Sequence, residues 1–226
     1  MKNMARSSAK PSFAAIRAGR EIPLTVGLTG GIGAGKSEVL KRLEKKGVPV
    51  LQTDFIGHDL LKEGKIKSLL VRKLGTGILD EKGNIDRKKI GKIVFNDPRK
   101  RKFLNQTLHP LIRRKVRRWV MDHWGKKTPP PLILVEVPLL FEGKGYPYFH
   151  GVLSVSASQA LRRGRLRSRG WTGDEILRRE RGQWSQARKD RRADWVIRNN
   201  GTIQELRLKV DGWLARMAGR HFGQGH

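Results

Sequence analysis

The stretch Gly30-Gly31-Ile32-Gly33-Ala34-Gly35-Lys36-Ser37 constrains this chain more than any other. Gly30, Gly35, Lys36 and Ser37 fill the G-x-x-x-x-G-K-[ST] pattern of a phosphate-binding loop. The short apolar run Leu24–Leu28 precedes it and reads as a buried strand. Glu38 to Glu44 follows with apolar residues at helical spacing. The loop therefore stands between a strand and a helix N-terminus, where its chemistry requires it. Glycines let the backbone curl until several N–H groups point inward at phosphate oxygens. The helix end adds partial positive charge. Lys36 is expected to reach the β- and γ-phosphates, and the Ser37 hydroxyl to bind Mg²⁺. The alternative is an ordinary glycine-rich turn, which the strand–loop–helix context argues against.

With 226 residues the chain suits one domain, or one domain with an insertion. Cysteine is absent, which excludes a disulfide frame, a thiolate metal site and a cysteine nucleophile. No apolar run reaches the ~18 residues of a membrane span. The net charge of +29 fits nonspecific attraction to polyanions. The basic residues run from Lys2 to Arg220 with few aromatics between them, so a solvated basic surface is favoured over a dedicated nucleic-acid site.

Residues 1–20 are basic and acid-free, and read as a disordered tail, a transit-type peptide, or the result of a start assigned too early. Strands are expected at Leu24–Leu28, Val48–Leu51, Leu132–Val135, Val152–Val155 and Trp195–Ile197. Helices are expected at Lys36–Lys46, closed by Gly47, and at His58–Leu74. Two more run from Asp86 to about Phe95 and from Asp97 to about Trp124, the latter interrupted at His109-Pro110. Gln159–Arg192 reads as helical with a break at Gly170–Gly173, and Thr202–Met217 as a final amphipathic helix. Strands alternating with helices predict an α/β domain with a parallel sheet. Residues 21–57 and 128–218 form its core, the helical stretch 58–127 is inserted, and 219–226 form a C-terminal tail.

A phosphate loop alone does not name a reaction. Asp54 and Glu136 stand at strand ends, and ligands of open parallel sheets bind at the carboxyl ends of strands. One carboxylate can orient or deprotonate an attacking hydroxyl while the other supports Mg²⁺; a helix cap or surface acid is the alternative for each. Arg162, Arg163, Arg165, Arg167 and Arg169 crowd before Gly170, with Arg178, Arg179 and Arg181 after it. Some can neutralise a transferring phosphoryl group while closing out water, and others are simply solvated.

The chain resembles the dephospho-coenzyme A kinase family. The matching stretches, in the family's order, are Gly27 to Ser37, Asp54, Asp86-Arg87 before Val94-Phe95, and Leu108 to Ile112. Val137 to Glu142, Arg165-Leu166 with Arg169, Gln183, and Ala193-Asp194 with Ile197, Asn199 and Gly201 complete the set. The resemblance implies a P-loop kinase fold: a parallel sheet flanked by helices, a helical substrate domain at 58–127, and an arginine-bearing lid at 158–190. It implies transfer of the ATP γ-phosphate to the 3′-hydroxyl of dephospho-coenzyme A in the cytoplasm, with no membrane, no obligate protein partner, and nucleic acid bound nonspecifically if at all. Asp54 is then the candidate base, and Lys36, Arg165 and Arg169 complete the catalytic set. Gly30 to Glu38, that is Gly30, Gly31, Ile32, Gly33, Ala34, Gly35, Lys36, Ser37 and Glu38, would hold ATP, with Asn199 and Gly201 bordering the adenine. Asp54, His109, Arg113, Leu139 and Glu142 would meet the acceptor, and Ser37, with Glu136 as a second candidate, the magnesium. Gln52-Thr53-Asp54 stands where the family often has Asp-Ala-Asp, so one acid is missing. Glu38 follows Ser37 where threonine is common, and the lid is about one residue short. Another small-molecule kinase and a nucleic-acid-stimulated ATPase are the competing readings.

Overall fold

A computed structural model describes residues 22–143, 147 and 149–222, without the side chains of residues 95 and 218–222. The expected tail at 1–20 lies outside these residues. Strand β1 (Leu24–Thr29) is followed by the glycine loop and helix α1 (Lys36–Lys45). Then come β2 (Val50–Gln52), α2 (Thr53–Lys62), α3 (Gly64–Leu74), a 3₁₀ turn (Thr76–Ile78), α4 (Arg87–Asn96) and α5 (Pro98–Trp124). The chain continues through β3 (Leu132–Glu136), β4 (Gly151–Ser156), α6 (Gln159–Arg167), α7 (Gly173–Arg181), α8 (Gln186–Arg192), β5 (Trp195–Arg198) and α9 (Ile203–Phe222).

The five strands form one sheet in the order β2-β3-β1-β4-β5. β1 pairs parallel with β3 and with β4, and β4 pairs parallel with β5. β1 is central because its side chains are apolar or small on both faces: Val26 and Leu28 are fully buried, as are Thr25 and Thr29. α1 and α9 close one face through Val39, Leu40, Leu43, Leu206, Val210, Trp213 and Met217. Arg42 of α1 and Asp211 of α9 add a paired ion bridge at the rim.

The chain divides into two compact units, one running to Leu51 and resuming at Val120, the other Gln52–Trp119. The second has its own core of Leu70, Leu74, Ile78 and Ile90, against which Phe103 and Leu104 pack. It overlaps the stretch expected as an insertion.

Several element boundaries differ from expectation. The helix expected over 58–74 starts earlier, at Thr53, and is two helices; Glu63 turns to an extended backbone between them, with ψ 123°. α5 is one helix of 27 residues with Pro110 inside it, not interrupted there. Proline costs the helix one N–H donor and crowds the preceding turn. Burial holds the helix on both sides of the flaw, since Phe103 and Leu104 pack before it and Val116 is fully buried after it. The arginine-rich stretch has a second break at Gly182, after which Ser185 caps α8 by accepting from the Arg188 N–H. α9 runs on to Phe222, through residues expected as tail.

Candidate active site

The glycine loop follows β1 at its carboxyl end, and glycine is required there by the backbone. Gly30 has φ 148°, and a Cβ on it would strike the Val155 carbonyl of β4. Gly35 has φ 97°, and a Cβ on it would strike the Asn199 amide. Both close approaches let β4 and the residue after β5 support the loop. Lys36 opens α1 and its Nζ donates to the Gly30 and Gly31 carbonyls, at 3.1 and 3.3 Å. Ser37 beside it is exposed, and Glu38 pairs with Lys41 at 3.1 Å.

Side chains from three later elements brace this loop. Asn199, buried just past β5, donates from Nδ2 to the Ala34 carbonyl at 2.9 Å. Arg165 of α6 donates to the Asn199 carbonyl at 3.0 Å, and its Nη1 is buried without a partner among the described residues. Arg162, one turn earlier and buried, donates to the Ile32 carbonyl at 3.3 Å and to Glu180 of α7 at 3.2 Å. Arg163 holds the other Glu180 oxygen at 2.8 Å. Gln186 of α8 accepts from the Gly31 N–H at 2.8 Å. Arg169 lies past the end of α6 and is exposed, and Gly201 lies against the Glu205 carboxylate.

The sheet register sets Glu136 beside Leu28, so this carboxylate ends β3 next to the strand that feeds the loop. Beyond it, Leu139 is 43% exposed. Glu142 turns inward: Oε1 accepts from the Trp184 N–H at 2.7 Å and pairs with Lys189 at 3.0 Å, while Oε2 is buried without a partner among the described residues. Lys189 is itself fully buried and also donates to the Pro138 carbonyl at 2.7 Å. Burial pulls the Lys189 ammonium below its usual pKa, against the upward pull of Glu142.

The other expected residues belong to the unit Gln52–Trp119. Asp54 is exposed in the first turn of α2, directly past β2, with exposed Phe55 next to it. His58 is one turn on, edge-to-face with Phe55 at 6.1 Å, and its Nδ1 lies 3.4 Å from an Arg87 nitrogen. Burial and the Arg87 charge hold the His58 pKa below the ordinary imidazole value, against a smaller opposing pull from Asp54. His109 and Arg113 are one turn apart on α5, and partial burial followed by the Arg113 charge lowers the His109 pKa.

Gln186, Lys189 and His58 were not singled out from sequence. Each acts through partners far along the chain or on the next helical turn, and nothing local marks it. Arg162 stood among the arginines without distinction; burial is what separates it.

A parallel sheet that presents a glycine loop and its lysine at the end of its central strand, braced by arginine-bearing helices, defines a P-loop nucleotide-binding protein of the small-kinase class. Within that class the chain belongs to the dephospho-CoA kinase family, whose model matches residues 24–205. A dephospho-CoA kinase of Geobacillus kaustophilus is 39% identical over 191 residues, which cover 83% of this chain and 93% of that one. One from Oryza sativa subsp. japonica is 36% identical over 195 residues, covering 85% of this chain and 84% of that one. A crystal structure of a Thermus thermophilus protein superposes with a TM-score of 0.74 at 34% identity, covering 87% of this chain and 98% of that one.

Proposed function

We propose that this chain transfers the γ-phosphate of ATP to the 3′-hydroxyl of dephospho-coenzyme A, giving coenzyme A and ADP. The observation that carries the reading is the Gly30–Ser37 loop with Lys36 held on its own backbone, in a chain that matches the family from 24 to 205.

Gly30 to Glu38 cradle the triphosphate, and Lys36 moves from loop carbonyls to phosphate oxygens, which offer it full negative charge. Asn199 and Gly201 border the adenine, an assignment supported by the grip of Asn199 on Ala34. Arg165 has a buried donor beside the loop with no partner among the described residues, which suits contact with the nucleotide. Arg169, exposed and with no side-chain hydrogen bond or ion pair among the described residues, suits a group that closes on the phosphoryl as charge develops. Asp54 orients the acceptor hydroxyl and takes its proton late in the transfer. His109 and Arg113 bind the acceptor from within 58–127, and Leu139 offers it an apolar contact, backed by Glu142. Residues 158–190 act as the lid.

Ser37 and Glu136 supply hard oxygen donors of the kind magnesium takes. Among the described residues no three His, Asp or Glu side chains group to hold a metal. That suits an ion that keeps its waters and rides on substrate phosphates. Held there, the ion would supply positive charge against the negative charge of the transferring phosphoryl group. No helix of the described residues is long and apolar enough to cross a membrane. Membership of the family is what leads us to place the reaction in the cytoplasm.

An acceptor screen tests the reading. ATP consumption that depends on dephospho-coenzyme A, with the new phosphate on the ribose 3′-oxygen and turnover that survives high salt, is the expected result. Consumption driven by another alcohol, or by DNA or RNA and collapsing with salt, would overturn it.

A further inference from the structure

One peptide unit of the glycine loop is held from both sides. The Gly30 carbonyl accepts from Lys36 Nζ at 3.1 Å, and the N–H of the same unit, on Gly31, donates to Gln186 Oε1 at 2.8 Å. The Gln186 amide cannot turn over to break this contact. Its Nε2 donates to Asp190 Oδ1 at 2.7 Å and to the Val155 carbonyl at 3.2 Å, with Ser154 Oγ at 3.3 Å. A carboxylate only accepts, so the NH₂ must face Asp190 and the carbonyl must face Gly31. Asp190 is fixed in turn, because Ser154 and Ser156 of β4 each donate to one of its oxygens at 2.7 Å. Every member of this chain of contacts runs from the sheet to the loop, and Ser154 is fully buried. Such a network costs little to keep and much to leave half-made.

We propose that Gln186 is a positioning residue for the nucleotide loop: it sets the plane of the Gly30–Gly31 peptide, and through the Gly30 carbonyl the place from which Lys36 moves onto the phosphates. It touches no reacting atom. Its contribution is to preorganise a loop whose glycines would otherwise sample many conformations. This inference rests on ATP as the loop's ligand, as read above.

Gln186→Ala, Gln186→Glu and Gly31→Ala in the full chain test it, with ATP binding by calorimetry, steady-state kinetics in both substrates, and thermal midpoints. Gln186→Ala is expected to weaken ATP binding about tenfold, the equivalent of about 1.4 kcal/mol. The KM for ATP rises with it while that for dephospho-coenzyme A stays within about twofold. Gly31→Ala reaches the same break from the other side, because its Cβ would lie 2.8 Å from Gln186 Oε1 and 3.1 Å from Arg162 Nη1. Gln186→Glu adds a pH signature. A protonated glutamic acid can offer O–H to Asp190 and a carbonyl to Gly31, whereas the carboxylate repels Asp190, so its ATP affinity relative to wild type should rise as pH falls.

Unchanged ATP affinity in Gln186→Ala would overturn the proposal. So would both KM values rising together with a lowered midpoint, or a Gln186→Glu profile parallel to wild type. If the wild type binds ATP but leaves dephospho-coenzyme A unphosphorylated, the acceptor reading fails and Gln186 is still judged on ATP binding alone.

Discussion

Asp54 and Lys189 show how differently single charges are used here. Asp54 is exposed in the first turn of α2, and its carboxylate forms no hydrogen bond or ion pair among the described residues. Asp54→Asn keeps the shape and removes the proton acceptor, so turnover should fall by about 10²–10⁴-fold, the span seen for loss of a general base. Both KM values and the thermal midpoint should stay near wild type; more than about a tenth of normal turnover would assign the proton elsewhere. Lys189 is the opposite case, fully buried and paired with Glu142. Lys189→Met strands a carboxylate that already has one unpartnered oxygen, and should cost about 3–5 kcal/mol in urea unfolding. Adding Glu142→Gln should recover much of that loss, because it removes the stranded charge. A double variant no better than the single one would mean that the ion pair is not what Lys189 contributes.

Among the elements, α5 departs most from what its sequence suggests. Pro110 stands twelve residues into a helix it should weaken, and packing overrides it. Pro110→Ala should therefore stabilise the unit Gln52–Trp119, by up to about 3 kcal/mol if the helix is otherwise unstrained. A drop in the thermal midpoint would show that the proline ring itself is needed for packing. The same contest decides what was legible beforehand. The glycine loop, β1, β3, β4 and β5 could be read because apolar runs and glycine spacing are local signals. The second break at Gly182 and the early start at Thr53 could not, because arginine-rich and mixed sequence has no strong period of its own. Of the candidate site, the loop is marked by its pattern, while Asn199 is named by resemblance alone and its contact with Ala34 could not be read. Gln186 and the Lys189–Glu142 pair were not legible either, because their meaning lies in contacts with β4, Gly31 and Pro138 that only the fold creates.

For the whole molecule, the net charge of +29 faces two substrates that are both polyanions in the proposed reaction. A field of that sign raises encounter rates, and salt screens it over about 8–10 Å at physiological strength. kcat/KM should fall steadily with added potassium chloride while kcat changes much less. A flat kcat/KM would mean that the basic surface is too diffuse to steer.

The central place of β1 also fixes when the protein can be made. Its residues leave the ribosome before those of β3 and β4, yet Leu24 pairs with Leu132 and Val26 with Gly151. The strand that carries the nucleotide loop has no partner on either edge until most of the chain has been synthesised. Loop closure over such a span must precede any gain from pairing, which slows folding and leaves an apolar segment waiting. A nascent chain halted before Leu132 should show no ATP-dependent protection from protease, whereas one extended beyond the sheet's last strand should acquire it in a single step. The Gln52–Trp119 unit, with a core of its own, should become protease-resistant first. Chaperone demand during synthesis is thus written into strand order, since β1 gains its first neighbour only once Leu132 has been made and its second only after Gly151.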